Sequence, residues 1–312
     1  MILLSRVAER LYWMARYLER TQATARLTRS YTHLIMDLPI GQSPTWEVLI
    51  NTFDAQDLFT HRFNVASETN VMRYLLSLNE STNSIPFSVK CARENVRTTR
   101  GVLSDDIWEH VNELHLFVQE HASSSVARRN RYDFLNDVIS RTQLIFSAFQ
   151  HSLNRDHIHR FITLGRLIER ADMATRILDT GAEAIHSLGA KGLAVESLLW
   201  GNVLESQLAL SAYRRTYGPV IDRDTTSEFL LQSLQFPNSV AFGLNDMIEL
   251  LAPLPQSTAA LRTVRAANKE LDRFKVKKAS VEDLHKFIDT VQVRLIEIDG
   301  IIAQTWFKLA TS

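Results

Sequence analysis

This 312-residue sequence has little of several residue types that would widen the choice of fold. Its one cysteine, Cys91, excludes a disulfide within the chain and a structural zinc site built from several cysteines. Glycine and proline number only 10 and 7, so long helical stretches meet few residues that would break them. These scarcities predict a mostly helical protein whose one thiol suits a reducing compartment.

Charge of one sign and long apolar runs are also missing. Lysine plus arginine equals aspartate plus glutamate at 35 each, so net charge provides no general attraction to nucleic acid or anionic membrane. No stretch reaches the roughly 18 apolar residues that cross a bilayer. The apolar start of the chain ends at Arg6, too early for a signal peptide. We therefore expect a cytoplasmic protein that binds neither nucleic acid nor membrane.

Motifs for common chemistry are absent from the sequence as well. It contains no P-loop, GxGxxG, GxSxG or CxxC segment, so we expect no nucleotide or other cofactor held by the chain itself. Two Glu-x-x-His pairs, Glu183–His186 and Glu282–His285, resemble part of a di-iron ligand set. With ten histidines and many glutamates two chance pairs are unremarkable, and the first lies at a predicted helix end. We predict no metal site.

Apolar residues recur at helical spacing along nearly the whole chain. This pattern predicts an all-α fold, a bundle of about ten or more helices. The first helix extends to about Thr32, Glu196 to Tyr217 forms one continuous helix, and the polar stretch 123–131 forms a loop.

The most informative pattern is a helical Arg-x-x-Glu-Arg motif that occurs twice, at positions separated by 150 residues. Its charged members are Arg16, Glu19, Arg20, Arg166, Glu169 and Arg170. The repeat predicts duplication of a helical unit, with halves at 4–153 and 154–312 inside one domain that covers 1–312.

The charged residues of each motif share one helical face, at about 100° per residue. Apolar residues occupy most of the remaining surface of both helices, which is typical of buried helices. Buried arginine and glutamate need partners. One interpretation is therefore a structural Arg–Glu network that joins the two helices. The other is a polar cleft, in which guanidinium groups bind a carboxylate or phosphate and the glutamates orient them.

In the cleft interpretation each motif residue has a role. Glu19 and Glu169 are candidate acid–base catalysts, while Arg16, Arg20, Arg166 and Arg170 are candidate substrate-binding residues.

Four residues outside the motifs are further candidates for substrate binding. Arg93 and Arg97 belong to an arginine stripe that would extend an anion site, although such a stripe is more often a solvated face. Tyr213 and Arg214 would complete the pocket, or would form an ordinary helix surface.

Further segments accompany the two motifs along the chain. They read LSRVAERLYWM at 4–14, NSI at 83–85, ARENVR at 92–97, GR before the second motif glutamate, ERAD at 169–172 and FPNSV at 236–240. In this combination and order the sequence resembles the bacterial alpha-E domain family. It departs from the family pattern at Ala15, where glycine is usual, and at Asn238, where arginine is common.

The resemblance implies an all-helical cytoplasmic component of an amide- or peptide-bond-forming system. Members of this family are encoded beside, or fused to, circularly permuted ATP-grasp proteins and transglutaminase-like proteins. ATP and magnesium would then belong to an ATP-grasp-type partner, and this chain would bind a peptide or amino-acid-like substrate through a carboxylate or acyl-phosphate.

Two alternatives stay open at this point. The chain could be an enzyme in its own right that acts on an amide, imine or acyl-phosphate with a glutamate as acid or base. It could instead be a non-catalytic scaffold stabilised by a buried Arg–Glu network. The sequence also leaves room for a homo-oligomer.

Overall fold

The computed structural model describes residues 4–39, 44–189 and 195–308, and helices provide the secondary structure of these ranges. Fourteen α-helices and no strands are found there, which confirms the predicted all-α fold. None of the described helices is both long and apolar enough to cross a membrane. The helices are α1 (Ser5–Asp37), α2 (Glu47–Thr52), α3 (Gln56–Thr60), α4 (Glu68–Leu76), α5 (Ile85–Arg97), α6 (Asp105–His121), α7 (Arg128–Ser152), α8 (His157–Ser187), α9 (Glu196–Ser206), α10 (Leu210–Tyr217), α11 (Arg223–Gln232), α12 (Val240–Leu251), α13 (Thr258–Arg273) and α14 (Val281–Ile302).

The two longest helices, α1 and α8, lie side by side and run in the same direction. The backbone carbonyl of Tyr12 lies against Gly165, and one turn further along both helices Arg16 contacts Glu169. Because the contacts advance together along both helices, the pair is parallel. Each helix has a motif near its middle, so this packing brings the two motifs together.

Each of these helices is also the first member of a group of four. Helix α1 packs on α5 and α7, with α6 between them, while α8 packs on α12 and α14, with α13 between them. The predicted division near residue 153 coincides with the connection from α7 to α8. The origin of the two groups by duplication stays a prediction.

Two serine caps with the same hydrogen bonds begin corresponding helices of the two groups. Ser84 Oγ accepts from the backbone N–H of Phe87 at 3.2 Å, and Ser239 Oγ accepts from that of Phe242 at 3.2 Å. Each serine hydroxyl also donates to a carbonyl six residues earlier. The caps satisfy N–H groups that the first helical turn leaves unpaired, and they fix where α5 and α12 begin.

Two local predictions from the sequence are wrong. The segment from Glu196 to Tyr217 is not one helix, because Leu208 adopts a left-handed backbone conformation with φ of 55° and separates α9 from α10. The polar stretch 123–131 is not all loop, because α7 begins at Arg128. Arg131 is buried and donates to Glu68 at 2.8 Å, so its polar character reflects a tertiary ion pair rather than a loop.

Candidate functional site

The two Arg-x-x-Glu-Arg motifs meet at the contact between α1 and α8 and pair reciprocally across it. Glu169 of α8 accepts from two arginines of α1. Its Oε2 accepts from Arg16 Nε at 2.8 Å and from Arg20 Nη2 at 3.0 Å, and its Oε1 accepts from Arg20 Nε at 2.5 Å. Both carboxylate oxygens of Glu169 are therefore taken by guanidinium groups of the other helix.

The second half of the arrangement mirrors the first. Glu19 of α1 accepts from Arg166 Nε at 3.1 Å, and from Arg170 Nε and Nη2 at 3.0 and 3.2 Å. Spacing along each helix would also permit pairs within a motif, yet the structure places every ion pair of the two glutamates between helices. We call these six side chains the motif cluster: Arg16, Glu19, Arg20, Arg166, Glu169 and Arg170.

The two glutamates of the motif cluster are buried and ionised. The side chains of Glu169 and Glu19 are 0% and 4% exposed, while the four arginines are 11–20% exposed. Burial by itself would raise the pKa of Glu19, but Arg170 and Arg166 outweigh it and lower that pKa to about 2. Burial also acts to raise the pKa of Glu169, but Arg20 and Arg16 of α1 outweigh it, so the pKa of Glu169 is lowered. Neither glutamate holds a proton at neutral pH.

Arg16 connects the motif cluster to α14 through a third carboxylate. Its Nη1 donates to Asp299 Oδ1 at 2.8 Å, and the hydroxyl of Tyr12 donates to the same oxygen at 2.5 Å. The guanidinium carbon also lies 4.7 Å from the centre of the Trp13 ring. The sequence does not single out Asp299, because it lies in a helix without the motif, and only the fold brings α14 to α1.

The corresponding arginine of α8 has different surroundings. The guanidinium of Arg166 lies over the ring of Phe146, 3.8 Å from its centre, where a cation–π contact takes the place of a carboxylate. No hydrogen bond of its terminal nitrogens is found among the described residues. The two halves of the motif cluster are therefore equivalent in their glutamate pairs and unequal at their edges.

A similar difference separates the next arginine along each helix. Arg176 donates to Asp172 at 2.9 Å, one turn earlier on α8. Gln22 occupies the corresponding place on α1, and it donates to Thr142 at 2.9 Å instead. Arg26 consequently has a buried Nε without a partner among the described residues, and burial lowers its pKa to about 10. This guanidinium adds positive charge beside Glu19 and Arg170.

Positive charge exceeds negative charge in the motif cluster. Four guanidinium groups face two glutamates, and Asp299 adds one further carboxylate. In the described part of the chain, no terminal nitrogen of the four arginines is both buried and unpartnered, so the unpaired N–H groups keep contact with solvent.

The other four predicted binding residues lie outside the motif cluster. Arg93 donates to Asn112 at 2.8 Å and Arg97 pairs with Glu94 at 2.9 Å. The buried hydroxyl of Tyr213 hydrogen-bonds to Val220 and Thr225. Arg214 is exposed on α10. None of these residues hydrogen-bonds to the cluster, so the structure brings together the six motif residues but not these four.

The motif cluster lies away from five cavities that are found in the described ranges. Five cavities in the described ranges have volumes from about 30 to about 490 Å³, and no motif-cluster residue lines any of them. Because the two glutamates are buried, the exposed edges of the arginines are the part of the motif cluster that a ligand can reach. The network interpretation accounts for the buried glutamates.

The free energy of unfolding should decrease as the pH is lowered through the acid range, because Glu19 becomes protonated. Its pKa is about 4.5 unfolded and about 2 folded, so the contribution is complete above pH 4.5 and is lost as pH falls toward 2. We expect a loss on the order of 3 kcal/mol in the free energy of unfolding from this group. Urea denaturation at pH 6, 4, 3 and 2.5 measures it.

Two variants control the acid experiment. Glu19→Gln should show a shallower pH dependence, because the titrating group is gone. Glu80→Gln, which alters an exposed pair with Arg62, should keep the wild-type slope. A free energy of unfolding that stays constant from pH 6 to 3 would contradict the ionised, paired state of Glu19.

The fold and the motif cluster define a class of all-α protein in which two parallel helices exchange Arg–Glu pairs through a repeated motif. The chain belongs to the Alpha-E family, whose model matches residues 3–307 and is described as a predicted alpha-helical domain with a conserved ER motif. The resemblance inferred from the sequence is thereby confirmed. No curated protein and no solved structure matches the chain.

Proposed function

We propose that this chain is the substrate-binding component of an amide- or peptide-bond-forming system. An ATP-grasp-type partner would supply ATP and magnesium, and the motif cluster would bind the carboxylate or acyl-phosphate of a peptide-like substrate. The observation that carries the proposal is the excess of guanidinium over carboxylate groups in the motif cluster, at a place where the glutamates are already fully engaged.

The arginines are well suited to this role because the glutamates hold them in place. Each guanidinium points its Nε toward a buried glutamate. Arg16 Nη2, Arg20 Nη1 and both terminal nitrogens of Arg166 have no partner among the described residues and are left for a second anion. Arginine forks bind carboxylate and phosphate with two parallel hydrogen bonds, and forks that are already ordered lose less entropy on binding. Arg166 is the strongest candidate, since both of its terminal nitrogens lack partners among the described residues.

In this proposal Glu19 and Glu169 are positioning residues. A general acid or base works best with a pKa near the operating pH. The pKa of Glu19 lies near 2 and that of Glu169 is lowered as well. These values favour a fixed counter-charge over proton transfer, and so they favour the binding component over a stand-alone enzyme with a glutamate acid or base.

The scaffold alternative has its own supporting observation. Every oxygen of the two buried glutamates accepts from an arginine of the opposite helix, which is what a structural connection requires. Both roles can coexist, because the glutamates would join the helices while the outer guanidinium edges bind the substrate. Measurements of binding and of stability on the same variants separate the two roles.

Binding of an anionic probe should depend on the fork of Arg166. We expect the full chain to bind an N-acetylated triglutamate peptide or inorganic phosphate, as measured by titration calorimetry. Arg166→Lys keeps the charge but loses the planar fork, and should weaken binding by roughly tenfold to a hundredfold. The melting temperature of the same samples shows whether the variant is folded.

Arg129→Lys is the matched control, because this exposed arginine lines another cavity between α1 and α7. It should bind the probes as the wild type does. Equal probe binding by the wild type and by Arg166→Lys would overturn the anion site, as would the absence of any binding at millimolar concentration. The partner is tested separately, by purification of the tagged chain from its own cells. Failure to recover an ATP-grasp protein at micromolar concentrations would count against that part.

A further inference from the structure

A second cluster of chemically active side chains lies between the later turns of α8 and the first half of α14. Asp179 and Glu183 are spaced by one helical turn on α8, and His285 and Asp289 by one turn on α14. Side chains four residues apart share a helical face, so each helix presents two ligand-type groups to the other. None of these residues belongs to the motif cluster.

The distances within this cluster suit a small cation. His285 Nδ1 lies 2.8 Å from Asp179 Oδ1, and His285 Nε2 lies 3.7 Å from Asp289 Oδ2. One ligand atom from each of the three residues lies within 4.8 Å of the others. Zinc–ligand bonds of about 2.0–2.2 Å place tetrahedral ligand atoms roughly 3.4 Å apart, which is within the 4.8 Å that separates one ligand atom of each residue from the others.

The surroundings provide both further ligands and space. A cavity of about 210 Å³ is lined by Asp179, Glu183, His186 and His285. A larger cavity of about 490 Å³ adjoins it and shares His186 as a lining residue. A cation held here by three protein groups would keep a coordination position for water or for a ligand in these cavities.

The fold thus brings together the two Glu-x-x-His pairs that are 99 positions apart in the sequence, because both line the smaller cavity. The number of glutamates and histidines and the helix-end position of the first pair favour chance occurrence in the sequence. The shared cavity is an observation that the sequence does not contain.

We propose that Asp179, His285 and Asp289 bind a divalent first-row transition metal. Nitrogen and oxygen donors in this mixture are typical ligands for Zn²⁺, Co²⁺ and Fe²⁺. The site is independent of the anion site at the motif cluster.

The alternative for these residues is an ordinary surface ion pair. The hydrogen bond from His285 to Asp179 raises the pKa of the imidazole, and a protonated His285 would join α8 to α14 without a metal. A protonated imidazole cannot bind a cation, so the two interpretations predict opposite responses to added metal.

The test uses the full chain, freed of metal with a chelator and titrated with Zn²⁺ at pH 7.5 by calorimetry. We expect one equivalent to bind with micromolar affinity. His285→Gln and Asp179→Asn should each weaken binding by at least about tenfold, because each removes one ligand of the metal. Co²⁺ provides a second readout, because a histidine- and carboxylate-bound ion gives a visible absorption band that His285→Gln should abolish.

His151→Gln is the matched control, because His151 is an exposed histidine on α7. It should bind Zn²⁺ as the wild type does, and circular dichroism should show that all variants are folded. Adventitious binding would give the same affinity and stoichiometry in His285→Gln as in the wild type, and that result overturns the proposal. Failure of the wild type to bind Zn²⁺ at millimolar concentration overturns it as well.

Discussion

Glu169→Gln is expected to lower the free energy of unfolding by about 3–5 kcal/mol. The side chain of Glu169 is fully buried and accepts three hydrogen bonds from Arg16 and Arg20. Glutamine has the same shape but no charge, so Arg20 would lose its counter-charge and Arg16 would keep only Asp299. Removal of one partner from a buried ion pair costs far more than the pair itself contributes, because the remaining charge cannot return to water.

Thermal and urea denaturation of the variant measure this loss, with Glu80→Gln as the control for removal of an exposed glutamate charge. The control should melt with the wild type, since an exposed pair contributes little. If Glu169→Gln also melted with the wild type, the buried carboxylate would not hold the two helices together.

The same measurement bears on the proposed function. A purely structural network predicts that loss of probe binding in Glu169→Gln follows loss of folded protein. The binding proposal predicts that Arg166→Lys loses the probe while its melting temperature stays close to that of the wild type, since the cation remains beside Glu19. Stability and binding therefore report on different members of the motif cluster.

Gly165→Ala is expected to destabilise the protein by about 3 kcal/mol, at the upper end of the usual cost of overpacking. A Cβ atom added at Gly165 would lie 2.3 Å from the backbone oxygen of Tyr12 and 3.3 Å from the Cβ of Ala15. The first contact involves main chain, so it cannot be relieved by a change of rotamer. Helices α1 and α8 would have to move apart, which would also lengthen the ion pairs one turn further along.

Gly300→Ala is the matched control, because an added Cβ at this helical position in α14 meets nothing within 4 Å. Alanine is the better helix former, so this variant should be more stable by about 0.5–1 kcal/mol. Opposite shifts of the melting temperature for the two substitutions are the expected result. A Gly165→Ala protein with the stability of Gly300→Ala would show that the helices are not in contact at this point.

The Gly165 contact also gives a structural meaning to one departure of the sequence from the family pattern. Ala15, which stands where glycine is usual, lies at the same helix contact and directly faces Gly165. One of the two facing positions holds a methyl group and the other holds none. The close approach of α1 and α8 consequently depends on Gly165.

Features that depend on local periodicity and on residue type could be predicted from the sequence. Helical spacing of apolar residues, with few glycines and prolines, was sufficient for the all-α fold. The recurrence of Arg-x-x-Glu-Arg was sufficient for the six residues of the motif cluster, and its combination with the accompanying segments was sufficient for the family. Those six could be recognised because burial of a charged face among apolar residues requires partners, wherever the partners come from.

The pairing of the charged side chains depends on how the helices pack against one another. Spacing along a helix cannot distinguish a pair within α1 from a pair between α1 and α8, and it says nothing of Asp299, whose role exists only because α14 packs beside Tyr12 and Arg16. Leu208 breaks a helix that local propensity would continue. The meeting of Asp179 with His285 is likewise a consequence of helix packing, because residues 106 positions apart become neighbours only when the chain has folded.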